Sequence, residues 1–189
     1  MLSLDCWNKD KPITSSTDRS LRLWSVAEDS HAVYRGHKAS IDAVEFLTED
    51  SFISGGEDGT ISLWKDSLKK PISTVHDAHF DVTNSSSSTT SSPPPPHWVC
   101  SLAAIKMSDV VFSGSYDGFI RVWKAQPDAK SIQRITTIPC VGFVNSLAVS
   151  SIDPTLLVAG LGREHKFGRW WNLKGNKDKI AIIRLPKFE

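Results

Sequence analysis

His37, Ser54 and Asp58 are the residue types of a nucleophilic triad, in which histidine takes the serine proton while aspartate orients the imidazole. The same offsets recur. Ser54 stands four residues before Asp58, Ser113 four before Asp117 and Thr14 four before Asp18, and a tryptophan follows each aspartate by six residues, at Trp64, Trp123 and Trp24. His37 precedes the second set, and His79, in Ala78-His79, is placed to serve the third. Catalysis needs one constellation in one cleft, whereas a set repeated along the chain is a scaffold device. No GxSxG elbow accompanies it, and neither GxGxxG nor GxxxxGK[ST] supplies a phosphate loop. The expectation is therefore a non-enzymatic chain, in which each aspartate accepts hydrogen bonds that fix a turn and each tryptophan packs its ring and donates its indole N–H.

A second chemistry is carried by charge. From Arg163 to Lys187 there are eight basic residues against Glu164 and Asp178, in a chain whose formal net charge is only +1. Such asymmetry suggests an anionic partner, RNA included; the competing reading is a solvated edge strand protected by lysines. Arg163, His165, Lys166 and Arg169 crowd beside Trp170 and Trp171, and Lys174 follows. Guanidinium contacts to phosphate and stacking of an aromatic ring on a base are both open to such a cluster, so these five basic residues are the candidate contacts to RNA or a protein partner. Adjacent side chains on a strand face opposite ways, so Trp170 and Trp171 point apart and at least one is expected to reach the rim.

The elements that must position these groups are strands. Asp18-Arg-Ser-Leu-Arg-Leu-Trp24, Asp58-Gly-Thr-Ile-Ser-Leu-Trp64 and Asp117-Gly-Phe-Ile-Arg-Val-Trp123 each read as a tight turn followed by an alternating strand. Trp24 and Trp64 lie 40 residues apart, the length of a four-stranded propeller blade, and the pattern resembles the WD40 repeat, whose structural tetrad shares hydrogen bonds among His, Ser or Thr, Asp and Trp. The tetrad residues are then Thr14, Asp18 and Trp24; His37, Ser54, Asp58 and Trp64; His79, Ser113, Asp117 and Trp123. A degenerate fourth copy ends at Trp171, with Ala159 in the serine place, and its strands are expected at 144–149, 156–159, 168–171 and 180–185. The fold class expected is all-β, a partial WD40 propeller of about four of seven blades, entered partway through a blade.

The interval from Trp64 to Trp123 is 59 residues, and the excess is a run of serine and threonine followed by Pro93 to Pro96. With nothing apolar to bury it cannot offset its ordering entropy, and reads as a disordered surface loop. Blades are thus expected over 1–80, the first incomplete, and over 98–189, with the loop at 81–97 between them. Cys6, Cys100 and Cys140 are an odd, widely spaced set that builds neither a disulfide framework nor a zinc site, so a reducing compartment and no metal or cofactor are expected. No apolar run approaches 18 residues, and the opening residues lack a basic region followed by an apolar stretch, so neither a membrane span nor a signal peptide is expected.

Two segments are more distinctive than the repeats: Pro139-Cys-Val-Gly-Phe-Val-Asn-Ser-Leu147 and Gly162-Arg-Glu-His-Lys-Phe-Gly-Arg-Trp-Trp171. With Tyr34-Arg-Gly-His37-Lys-Ala-Ser-Ile-Asp42 they make the chain resemble the WD40-repeat subunits of the U3 small nucleolar ribonucleoprotein. That resemblance implies a nucleolar protein that recognises the box B/C region of U3 small nucleolar RNA beside a small kink-turn-binding protein and other processome proteins, in pre-ribosomal RNA processing and small-subunit biogenesis. The alternative is a WD40 protein-interaction scaffold without direct RNA contact. The basic N-terminal region of such proteins is missing from this chain, and the Ser/Pro insertion departs from their pattern.

Overall fold

The computed structural model describes residues 1–79, 97–173 and 175–186. The chain lays down antiparallel sheets in sequence order. The first is β1 (Ser3–Cys6), β2 (Pro12–Ser15), β3 (Ser20–Ser25) and β4 (Ser30–Arg35); the second is β5 (Ile41–Phe46), β6 (Ser51–Gly56), β7 (Ile61–Lys65) and β8 (Ser73–Val75). The third is β9 (Ser101–Ala104), β10 (Val110–Gly114), β11 (Phe119–Gln126) and β12 (Ser131–Pro139). First strands of successive sheets touch in series, β1 on β5, β5 on β9 and β9 on β13 (Phe143–Val149), which stacks the sheets side by side as blades.

The hairpins arise where the sequence places Asp-Gly. Gly59 and Gly118 take positive φ, 69° and 90°, a conformation that costs glycine nothing. In the first sheet the same corner is Asp18-Arg19, and Arg19 adopts φ 66° against the ordinary preference of an L-residue.

Apolar residues on both faces of the sheets then pack sheet on sheet. Ile13, Leu21 and Leu23 of the first sheet meet Phe46, Phe52 and Trp64 of the second. Ile53, Ile61 and Leu63 on the other face of the second meet Val111, Trp123 and Ala125 of the third. Phe112, Ile120 and Val122 meet Leu157, Ala159 and Leu161 of the last. Being covered on both faces, β6 is buried along all six residues, Ser54 included.

Two expectations are corrected. The first sheet has all four strands, with Ser3–Cys6 as its innermost member, rather than an incomplete set. The last sheet has three described strands, β13, β14 (Leu156–Gly162) and β17 (Lys179–Arg184), and residues 168–171 are not its third. Instead β15 (Glu164–His165) and β16 (Gly168–Asn172) pair only with each other, and β17 takes the place beside β14. The insertion read at 81–97 lies, His97 apart, outside the described residues.

Small residues at the inner ends of the second strands set how closely the backbone can approach. A Cβ on Gly56 would stand 2.2 Å from the Ser40 carbonyl oxygen, a backbone atom that cannot swing away, whereas one on Gly118 meets nothing within 4 Å. Gly56→Ala is therefore expected to cost about 2–3 kcal/mol through a forced backbone shift, and Gly118→Ala only about 1 kcal/mol through its left-handed φ. Urea midpoints of the two variants should rank in that order.

Candidate functional site

Two of the repeated sets form one kind of hydrogen-bond relay. In the second sheet the Trp64 indole donates to Ser54 Oγ at 2.8 Å, Ser54 lies 2.7 Å from His37 Nε2, and His37 Nδ1 lies 3.2 Å from the Asp58 carboxylate. A consistent assignment has Ser54 donating to Nε2 and Nδ1–H donating to Asp58. Asp58 also accepts from the Lys38 N–H at 2.8 Å, the Thr60 N–H at 3.1 Å and the Thr60 hydroxyl at 2.7 Å. Burial opposes its charge, but the His37 and Thr60 hydrogen bonds and the Lys38 amide outweigh burial and hold its pKa well below the usual carboxylate range.

The third sheet repeats this with Trp123 to Ser113 at 2.8 Å, Ser113 to His79 Nε2 at 2.7 Å, and His79 Nδ1 to Asp117 at 3.1 Å. His79 thus reaches its set across the insertion. The first sheet holds only two halves: Trp24 donates to Thr14 at 3.0 Å, while Asp18 turns to Ser20 and to Arg22, at 2.7 Å, in place of a histidine. Ser54 and Ser113 are fully buried, each with its oxygen between an indole and an imidazole. They serve as connectors, shut away from any substrate.

The basic segment behaves differently from its charge pattern. His165 is 4% exposed and its ring meets Trp98, Phe143 and Phe167 edge-on, at centroid distances of 5.1, 5.9 and 5.3 Å. Burial first, then the Lys166 charge, pushes its pKa down to about 4, so the imidazole is neutral near pH 7. Lys166 turns its ammonium inward, 2.6 Å from the Cys100 carbonyl and 3.3 Å from the Asp42 carbonyl, linking the β15–β16 hairpin to the second and third sheets. Of these two candidate contacts, His165 is a buried member of an aromatic cluster, while Lys166, exposed along its stem, has its ammonium on two backbone carbonyls.

Arg163 remains exposed and, among the described residues, its guanidinium has no hydrogen bond or ion pair. It lines a groove of about 610 Å³ between the hairpin and the last sheet, with Asn145, Asp178 and Lys179. Arg169 lies on β16, and Lys174 lies outside the described residues. What positions the hairpin is a residue that charge and motif reading passed over. Asn145 falls at a register break between Val144 and Ser146, donates to the Glu164 carbonyl at 2.8 Å and accepts from the Lys166 amide at 3.0 Å. The two distinctive segments of the sequence are therefore the two halves of one clasp.

Ser54→Ala or Ser113→Ala leaves a buried indole N–H and an imidazole nitrogen unpaired and should cost about 1–3 kcal/mol. Thr14→Ala should cost under about 1 kcal/mol, because Trp24 is 37% exposed and water can replace the hydroxyl. Urea midpoints test the ranking.

A pH profile tests His165. Its folded pKa lies below the unfolded value of about 6.5, so the unfolded chain takes up the proton first. Stability from this group is complete above about 6.5 and is lost as pH falls toward 4. Glu45, pushed up to about 8 by burial and Asp5, acts in the opposite direction, and His79, lowered by burial, in the same one. A comparison of wild type with His165→Phe isolates the group. Between pH 7 and 4.5 the wild type should lose on the order of 2 kcal/mol relative to the variant in urea titrations.

Residues 29–65 and 87–124 match the family model for the WD domain, G-beta repeat. A protein of Arabidopsis thaliana described as "U3 snoRNP-associated protein-like EMB2271" is 32% identical over 185 residues, 98% of this chain and 38% of that protein. The "U3 small nucleolar RNA-interacting protein 2" of Mus musculus is 35% identical over 161 residues, 85% of this chain and 32% of that protein. Two solved structures, one of U3-55K and one of the RRP9 WD40 repeats, superpose with TM-scores of 0.86 at 34% and 33% identity. They cover 96% and 97% of this chain and 54% of each of theirs. The chain spans about a third to two-fifths of the length of the curated relatives it matches. It carries WD40 repeats and is a homologue of U3 small nucleolar RNA-interacting protein 2.

Proposed function

We propose that this chain is a non-catalytic RNA-binding component of the U3 small nucleolar ribonucleoprotein, acting in pre-ribosomal RNA processing in the nucleolus. The observation that supports the RNA contact is the groove beside the hairpin, where Arg163 and Lys179 stand exposed while the Lys166 ammonium is engaged by the Asp42 and Cys100 carbonyls. Both cations reach solvent on long stems, the arrangement by which phosphates are neutralised and counterions released. Arg169 and Lys174, named from the sequence, belong to the same proposal. The ligand proposed is the box B/C region of U3 small nucleolar RNA, with a small kink-turn-binding protein and processome proteins as neighbours. The relatives' names, which refer to U3 small nucleolar RNA and its ribonucleoprotein, support the reading.

A second reading, a protein-interaction scaffold without RNA contact, draws on the engagement of the Lys166 ammonium by backbone carbonyls and the neutrality of His165, which leave two fewer unpartnered cations on this edge. The double variant Arg163→Ala/Lys179→Ala separates the two. Titrating labelled box B/C RNA at several salt concentrations should show affinity falling roughly tenfold or more and the log–log salt slope shrinking by roughly one per cation removed. Unchanged affinity and slope would leave the scaffold reading.

A further inference from the structure

Two short stretches outside the basic segment carry cations and no acid: Arg35-Gly-His-Lys38, where β4 leads toward β5, and Ser67-Leu-Lys-Lys70, between β7 and β8. They are distant in sequence and side by side in the fold. The Arg35 N–H donates to the Lys69 carbonyl at 3.4 Å. Gly36 lets the two backbones close, since a Cβ there would stand 2.8 Å from Pro71 Cδ and 2.9 Å from Trp64 Cη2. Lys69 is placed further by Tyr34, its ammonium lying 4.7 Å from the ring centroid.

Arg35, Lys38, Lys69 and Lys70 are all exposed, and the place of the patch in the blade accounts for that. Arg35 ends the outer strand of the first sheet. The corresponding positions, His76 just beyond β8 and Pro139 at the end of β12, are exposed as well, although their sheets have a neighbour on each side. What sets the patch apart is its lack of counter-charge. Lys11 pairs with Asp66, Arg22 with Asp18, Lys106 with Asp5 and Lys124 with Asp109. Among the described residues none of these four side chains has an ion pair or a hydrogen bond. Asp58, which accepts the Lys38 N–H, is only 8% exposed and is committed to His37 and Thr60. Like charges gathered in this way repel one another, and an anion from outside relieves the repulsion.

We propose that Arg35, Lys38, Lys69 and Lys70 form a second contact for RNA, through its phosphate backbone, separate from the groove at Arg163 and Lys179. The proposal rests on the RNA reading given above. Tyr34, the aromatic ring beneath Lys69, is buried, so a base has nothing to stack on, and three of the four cations are lysines, which meet phosphates as point charges. Such a contact adds affinity and salt dependence without reading sequence.

Titrating the full chain with labelled box B/C RNA, and with a scrambled RNA of the same length, at several salt concentrations tests this. Replacing all four residues with glutamine should weaken both RNAs by the same factor, roughly tenfold or more, and shrink the log–log salt slope by roughly three. Circular dichroism should show the fold unchanged, and a variant carrying Arg35→Lys, Lys38→Arg, Lys69→Arg and Lys70→Arg should bind like wild type. If the glutamine variant binds like wild type while Arg163→Ala/Lys179→Ala weakens, this contact is overturned and the RNA reading stands; if neither variant changes binding, both fall. A charge-conserving variant as weak as the glutamine one would overturn the contact by making the effect structural. Loss of a labelled polyglutamate peptide with RNA binding intact would overturn it in favour of an acidic protein segment.

Discussion

The second and third sheets are apolar on both faces, and that constraint governs the rest. A sheet with one wet face can stand alone on a core; a sheet such as the second, buried from Ser51 through Gly56 along its second strand, exists only between two others. Burying each leucine, isoleucine or valine contributes about 1.5–3 kcal/mol, so the three inter-sheet layers are the dominant source of stability. Because each layer involves only consecutive sheets, cooperativity passes from neighbour to neighbour. The small residue opposite a branched one, Gly55 with Ile61 and Gly114 with Ile120, sets the spacing at which the next sheet arrives. A Cβ on Gly55 or Gly114 would come within 2.4 Å of Val99 or 2.3 Å of Val144, side chains that belong to the following sheet.

In the second and third sheets the buried polar groups of the repeated sets are linked into relays. Trp64, Ser54, His37 and Asp58 join the third strand, the second strand, the segment leading into the first strand and the turn between second and third, so one chain of hydrogen bonds fixes four parts of a sheet. The imidazole is the indispensable middle member, since it alone can accept from the serine and donate to the carboxylate. Where it is absent, in the first sheet, the chain of bonds breaks: Thr14 still holds Trp24, but Asp18 pairs with Arg22 on the surface. The corner there is also the one built on Arg19 in place of glycine. Both departures fall on the sheet whose tryptophan face is exposed.

What could be read in the sequence follows from range. Turns and tetrads are written in offsets of four to ten residues, and even His79, separated from Ser113 by 34 residues, was legible because its partners recur at fixed places. In the last sheet 144–149, 156–159 and 180–185 were legible as strands, but not which of them takes the third place. Gly168-Arg-Trp-Trp171 offers a tryptophan at about the right interval, and nothing local distinguishes it from a third strand. The decision lies in pairing: Lys179–Arg184 places Ile180 opposite Gly160 and Ile182 opposite Val158, restoring the small-opposite-branched register, with Ala181 and Ile183 turned to the core. Residues 168–172 have no such pattern to offer. The roles of His165 and Lys166 were illegible for a related reason. Their types report charge, whereas their environment is set by Trp98, Phe143 and the carbonyls of Asp42 and Cys100, distant in sequence.

The hairpin and the missing tetrad are one event. A last sheet with Ala159 in the serine place and no aspartate at the turn has no relay to tie its second strand to a third, and the chain leaves the sheet at Gly162. Its anchoring is replaced from elsewhere: Asn145, turned outward by the break in β13, clasps the backbone at Glu164 and Lys166, while Asp178 accepts the Arg163 amide at 3.0 Å. Gly162 is what lets the clasp close, since a Cβ there would stand 2.6 Å from the Asn145 amide nitrogen. Rule-breaking at this sheet is thus accompanied by hydrogen bonds from Asn145 and Asp178 that the other sheets do not show among the described residues, the condition under which a local violation of the repeat can persist. Lys166 joins the anchor through its ammonium, on the Asp42 and Cys100 carbonyls, so the cations of this edge that stand clear of protein partners are on its flanks, at Arg163 and Lys179, rather than in the most basic-looking stretch of the sequence.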